Sequence, residues 1–314
     1  MAPKVELEAP DITPYRTGNT GIDYVTTFRA RASGPHVMVN ALTHGNELCG
    51  AIALDRLFRH DIRPKRGTLT LSFANVAAYE AFDPKNPTAS RFVDEDFNRV
   101  WSEDMLEGPR DSTELRRARV MRPIVDAVDI LLDIHSMQRL SAPLSLAGPT
   151  AKGRALATRM GVPVTVVSDE GHAAGVRLRD YAAFADPASS KSAALVECGQ
   201  HWKRETAAVA IESLFRFLLC LDVIDREVAA EHLPPTPPPP QRYIEVTHAI
   251  TITDEPFVFT APYDGLEVIE RAGTVIARDG QREVCTPYDR CVLVMPSQRL
   301  SRGLTAVRLG RYVS

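Results

Sequence analysis

Near-continuous apolar runs, separated by stretches with helical spacing, constrain this chain more than any other feature. VMVNAL (37–42), TLTLSFAN (68–75), DILLDIH (129–135), VPVTVVS (162–168) and SAALVEC (192–198) each have the length of a strand. ELCGAIALDRLFRH (47–60), RRARVMRPIVDAV (116–128) and KGRALATRMG (152–161) repeat apolar residues at helical spacing, and a long loop is expected after the second run. A strand apolar on both sides must be covered on both sides. The pattern therefore predicts an α/β fold, a largely parallel sheet with helices packed against it.

After SAALVEC a long helix is expected to begin past Trp202, and IESLFRFLLCLDVIDREV (211–228) reads as the final amphipathic helix of that pattern. After it, HLPPTPPPPQR (232–242) places six prolines in eleven residues, a composition that neither continues a helix nor sits inside a sheet. Beyond lie short β-rich segments punctuated by turns. The expected organisation is a larger domain over 1–231, a proline-rich linker over 232–242 and a small β domain over 243–314.

The 37 basic and 40 acidic side chains, a net charge of −3, are spread without a long single-sign block, which disfavours nucleic acid and membrane surfaces as partners. No apolar stretch reaches the roughly 18 residues a membrane span needs. The opening MAPKVELEAPDITPY lacks the pattern of a secretory signal, so a cytoplasmic location is expected. Cysteines 49, 198, 220, 285 and 291 have no paired spacing and read as reduced thiols. Apolar helix faces would permit a homo-oligomer.

In sheets of this kind ligands bind beyond the carboxyl ends of the strands. Three strands end there in polar residues: VMVNAL runs into Thr43-His44-Gly45-Asn46-Glu47, DILLDI into His135-Ser136, and SAALV into Glu197-Cys198-Gly199. His44 and Glu47, three apart at a strand-to-helix turn, can face one point that His135 could complete. Two histidines and one glutamate with a fourth position open is the ligand set of a catalytic zinc, and Glu197 is then free to carry a proton. The chain has no HExxH, so such a set must be assembled from distant segments. In SRFVDEDFNRVW (90–101), Arg99 and Asn98 could clamp a carboxylate, and Arg91 could stabilise an oxyanion. Taken singly, each of these residues has an ordinary structural explanation; their joint occurrence points to a site.

HGNE at 44–47, RFVDEDFNR at 91–99, LLDIHS at 131–136 and VECG at 196–199 resemble, in order and spacing, the motifs of the succinylglutamate desuccinylase and aspartoacylase family of zinc carboxypeptidase-like hydrolases. The resemblance implies a zinc carboxypeptidase-like mixed, mostly parallel sheet followed by a small β domain that narrows the entrance to the site. It implies one zinc ion (Zn2+) per chain on His44, Glu47 and His135, water activation by Glu197, a catalytic Arg91, and Asn98 and Arg99 as substrate-binding residues. Phe97 stands where the family usually has leucine.

The expected activity is removal of the acyl group from a small N-acyl amino acid by attack of zinc-bound water. A carboxypeptidase acting on peptide ends and a non-catalytic binding protein on the same scaffold are the alternatives. Arg177 and Arg179 are candidates for a second anionic contact, with a surface role equally open; Tyr263 and Tyr288 could reach the site from the small domain but read better as turn tyrosines capping the β core; His201 and Trp202 are candidates for the pocket lining.

Overall fold

The computed structural model describes residues 4–313. The elements run β1 (Val25–Arg29), β2 (Ala32–Ala41), α1 (Leu48–Arg59), β3 (Arg66–Phe73), α2 (Val76–Glu80), α3 (Glu103–Glu107), α4 (Thr113–Ala127), β4 (Ile130–Met137), β5 (Leu144–Leu146), α5 (Ala151–Met160), β6 (Thr165–Ser168), β7 (Ser192–Gln200), α6 (Arg204–Cys220) and α7 (Arg226–Ala230). The C-terminal part contributes β8 (Arg242–Thr251), β9 (Phe257–Phe259), β10 (Glu267–Ile269), β11 (Val275–Asp279), β12 (Arg282–Cys285), β13 (Cys291–Val294) and β14 (Thr305–Val313).

All five apolar runs are strands of one sheet, in the order β1-β3-β2-β4-β7-β5-β6-β8-β14-β13-β10. Its centre, β3-β2-β4-β7, is parallel. Strand β5 then runs antiparallel to β7 and parallel to β6. Residues 232–241 form no helix or strand, and β8 pairs in parallel with β6, so the sheet continues into the C-terminal strands. A separate antiparallel sheet, β12-β11-β9, completes the fold, which is the mixed, mostly parallel architecture with a β-rich C-terminal part.

The two faces of the sheet carry different cores. On one, α1 and α6 bury Leu54, Leu57, Leu214 and Phe217 against Leu132, Ile134 and Val196. On the other, α3 and α4 bury Leu106, Leu115 and Met121 with Trp101, Leu131 and Ala193. Each fully buried leucine contributes about 1.5–3 kcal/mol of transfer free energy. Because side chains alternate along a strand, Asp133 and His135 share the face of Leu131, and Glu197 shares the face of Ala193. A further cluster joins Leu146, Val167 and Leu195 to Ile244, Val292 and Val294, tying the C-terminal strands to the central sheet.

Two local expectations are corrected. The loop after β3 contains two short helices, α2 and α3, and 3-10 turns at Ala89–Arg91 and Phe97–Arg99. The long helix starts just after Trp202, at Arg204, as expected, but it ends at Cys220 instead of running on to 228, with a left-handed Asp222 (φ 58°) before α7. The break lets Val223 and Ile224 turn inward to full burial, and Lys65 N–H donates to the carbonyl of Val223 at 2.8 Å. All five cysteines are free thiols. Among the described residues no helix is long and apolar enough to cross a membrane.

Candidate active site

Strand β2 delivers His44 through a left-handed Leu42 (φ 58°), a conformation that costs an L-residue about 1–2 kcal/mol. Gly45 follows because nothing larger fits: a Cβ there would lie 2.3 Å from the carbonyl carbon of Ala78 and 2.6 Å from the carbonyl oxygen of Ser90. Gly45 N–H donates to the carbonyl of Arg91 at 3.1 Å, so this close approach also brings the Arg91 turn to the site. Glu47 occupies the N-cap of α1, yet its side chain makes no capping bond. A good cap is worth about 1 kcal/mol, and here the carboxylate is used elsewhere.

Both oxygens of Glu47 face histidines: Oε1 lies 2.7 Å from Nδ1 of His44 and Oε2 2.9 Å from Nδ1 of His135. Ser136 N–H also donates to Oε2, at 3.3 Å. The three side chains are buried, and one ligand atom from each lies within 4.8 Å of the others. Their far sides are tied to carboxylates. His135 Nε2 is 2.7 Å from Asp133 Oδ2, and His44 Nε2 is 2.9 Å from Asp96 Oδ1. Two imidazoles and a carboxylate converging on one point, each ring backed by a further carboxylate, fit a zinc ion. Arg91 Nη2 lies 2.8 Å from the same His44 nitrogen. A cation held at Nδ1 would select the tautomer in which Nε2–H donates to Asp96, and Arg91 Nη2 would then donate to Asp96 Oδ2, at 3.1 Å, and not to the ring.

The charges of the group support one another. Burial opposes ionisation of Glu47, but His44 and His135 hold its carboxyl well below the usual range. Burial likewise opposes a charged His135, and Asp133 with Glu47 raises it well above the usual imidazole value. Asp96, also penalised by burial, is held low by His44 and Arg91.

Glu197 differs. It sits beside His135 in the β4–β7 register, and its Oε2 is buried without a partner. Burial pushes its carboxyl up to about 8.

The Phe97–Arg99 turn supplies two polar groups. Asn98 Oδ1 accepts from the backbone N–H of Leu178 at 3.0 Å, which fixes the amide so that Nδ2 is the free end. The Arg99 side chain donates only to the carbonyl of Asn98, at 2.6 Å, and has no carboxylate partner among the described residues. Burial, with Arg91, Arg177 and Arg308 nearby and only Asp96 in opposition, lowers its pKa to about 10.

All seven sequence-derived candidates, His44, Glu47, Arg91, Asn98, Arg99, His135 and Glu197, line one cavity of about 320 Å³. Met295, Ser297, Arg299 and Arg308 from the C-terminal part contribute to its wall. The other expectations fare differently. Arg177 reaches the cavity, but its guanidinium is spent on Asp169 and Asp180, and Arg179 is buried against Asp180 and the carbonyls of Ala147 and Ala193. A buried guanidinium already paired with carboxylates cannot serve as a free second anion contact. Tyr263 and Tyr288 donate or accept within the β part, with Thr260 and Thr247, and neither lines the cavity. His201 bonds Ser136 and Trp202 bonds the carbonyl of Asn46, behind the site rather than in its wall. Asp96 and Asp133 were missed. Asp133 had a signal, an acid inside an apolar strand, which demands a partner.

Residues 33–218 match the family model described as the succinylglutamate desuccinylase/aspartoacylase catalytic domain. No curated protein sequence matches the chain. Solved structures resemble it over most of their length. A succinylglutamate desuccinylase from Vibrio parahaemolyticus superposes with a TM-score of 0.65 at 17% identity, covering 90% of this chain and 82% of that one. A succinylglutamate desuccinylase/aspartoacylase from Rhodobacter sphaeroides gives 0.65 at 17%, covering 92% and 89%. The ectoine utilization protein EutE (DoeB) from Ruegeria pomeroyi gives 0.61 at 16%, covering 95% and 92%.

Proposed function

Because the chain belongs to the succinylglutamate desuccinylase/aspartoacylase family, a family of hydrolases, we propose that it is a zinc-dependent deacylase acting on a small N-acyl amino acid. The observation that carries this reading is Glu197, a buried carboxylate with an unpartnered oxygen, in the same cavity as the His44–Glu47–His135 group. A protein that only bound a metal would have no use for it.

His44, Glu47 and His135 would hold the zinc, which would polarise the amide carbonyl and acidify the attacking water. Glu197 takes the proton from that water and returns it to the leaving nitrogen, so the amide yields a carboxylate and an amine. Beside a bound cation the Glu197 carboxyl would titrate lower than without one, which would leave it ionised and able to act as a base. Arg91 lines the same cavity, and its guanidinium serves the oxyanion. Asn98 Nδ2 and the guanidinium of Arg99 hold the substrate carboxylate. The cavity volume of about 320 Å³ suits one small ligand.

Incubating zinc-loaded protein with a mixed panel of N-acetyl, N-succinyl and N-aroyl amino acids and short peptides, read by mass spectrometry, tests the reading. The expected result is hydrolysis of one acylamino acid class, lost in Glu197→Gln with zinc still bound. Trimming of peptides with the acylamino acids untouched would make it a carboxypeptidase instead. Arg99→Ala should raise KM with less effect on kcat.

A further inference from the structure

We propose that Arg308, on β14, is a positioning residue for the Asn98–Arg99 pair, so that the C-terminal strands set the geometry of substrate binding. The inference rests on the reading of Asn98 and Arg99 as the carboxylate clamp.

The connection is a series of buried contacts. Arg308 is 6% exposed; its Nε lies 3.4 Å from Asp169 Oδ2, and its Nη2 donates to the carbonyl of Gly171 at 3.1 Å. Asp169, 2% exposed, receives a two-pronged contact from Arg177, with Nη1 at 2.9 Å and Nη2 at 3.0 Å. The remaining Arg177 donor, Nε, goes to Asp180 at 2.5 Å, which fixes the orientation of the guanidinium.

The backbone on either side of Arg177 then grips the clamp. Leu178 N–H holds Asn98 Oδ1 at 3.0 Å, and the carbonyl of Val176 accepts from Trp101 N–H at 3.3 Å. Gly175 passes so close to Arg99 that a Cβ there would lie 2.3 Å from the Arg99 carbonyl oxygen. With Leu178 N–H holding the oxygen end of the amide, Nδ2 is the end that Asn98 has free for the cavity it lines. Leu178 is held in turn by its neighbour's pairing with Asp169. Arg308 is the tie from β14 to this loop, on Asp169 and on the Gly171 carbonyl, so its loss leaves that carbonyl without the Arg308 donor and Asp169 with one fewer buried contact, and the segment shifts.

A simple field effect would look different. If Arg308 acted only by its positive charge, Arg308→Met would weaken binding of an anionic substrate and Asp169→Asn would strengthen it. Positioning requires both to weaken it. A direct contact between Arg308 and substrate would make the two losses additive, whereas a shared path makes them non-additive.

The experiment combines steady-state kinetics on the best N-acyl amino acid of the panel with amide hydrogen exchange of zinc-loaded protein. Arg308→Met and Asp169→Asn should each raise KM by about tenfold with kcat within about twofold, the double variant should be no worse than the poorer single, and Arg308→Lys should recover part of the loss. Exchange at Leu178 should accelerate by about tenfold in Arg308→Met while β2 and β4 stay protected. Opposite signs in the two variants, additive losses, unchanged exchange at Leu178, or acceleration throughout the sheet would each overturn the proposal. If the wild type hydrolysed no member of the panel, the functional reading would fail, and exchange at Leu178 would still decide whether Arg308 positions Asn98.

Discussion

Asp133 holds His135 from behind: its Oδ2 lies 2.7 Å from Nε2 of the imidazole, while its Oδ1 accepts from Asn40 Nδ2 and Thr43 Oγ1, each at 2.8 Å. Asn40 and Asp133 are register partners across β2 and β4, the strands that deliver His44 and His135. The carboxylate therefore fixes one ring directly and the approach to the other through Thr43.

Replacing it with the neutral Asp133→Asn keeps the volume and removes the charge that makes His135 a strong donor. Zinc affinity should fall by about 10–100-fold, the range for loss of a carboxylate behind a ligating histidine. Competition with a chromophoric chelator measures this. An unchanged dissociation constant would mean that Asp133 serves only to join the strands.

Glu197 gives the metal-free protein a definite pH dependence. Its carboxyl titrates near 8 in the fold against an ordinary value of 4.5. Between those values the folded state holds a proton that the unfolded chain has released, so the contribution of this group to stability is full below about 4.5 and is lost as pH rises through 8. Glu197→Gln cannot release that proton. Thermal melts of metal-free protein should show the variant gaining on the wild type from pH 5 to pH 8.5, and a constant difference across that range would remove the burial argument.

The strands, the covering helices and the donor residues could be read from sequence because each depends on local pattern: apolar period, and which polar atom follows a strand. Partnership could not. Arg177 and Arg179 look like surface cations in GVRLRDY, and only the return of the chain past Asp169 and Asp180 makes them buried and occupied. Asp96 stands within the same DEDFNR stretch as Asn98 and Arg99 but reads as a solvated acid until His44 and Arg91 are placed beside it. The pairing of β6 with β8 is equally silent in the sequence, since the prolines before β8 say that the chain turns and not where it lands.

Gly175 offers a test of how closely the clamp is held. Its φ is +141°, and a Cβ there would lie 2.3 Å from the carbonyl oxygen of Arg99, backbone that cannot swing aside. Gly171, in the same loop, has φ +96° but only the Asp180 carboxylate within reach, at 3.7 Å. Alanine at either position carries a backbone strain of about 1–3 kcal/mol, so Gly171→Ala serves as the control for strain alone. Gly175→Ala adds displacement of Arg99 and should raise KM for the N-acyl substrate by about tenfold over the control, with zinc content unchanged. Comparing KM and melting temperature for the two variants separates the effects. Equal KM values at similar loss of stability would show that the clamp tolerates movement of the Arg99 backbone.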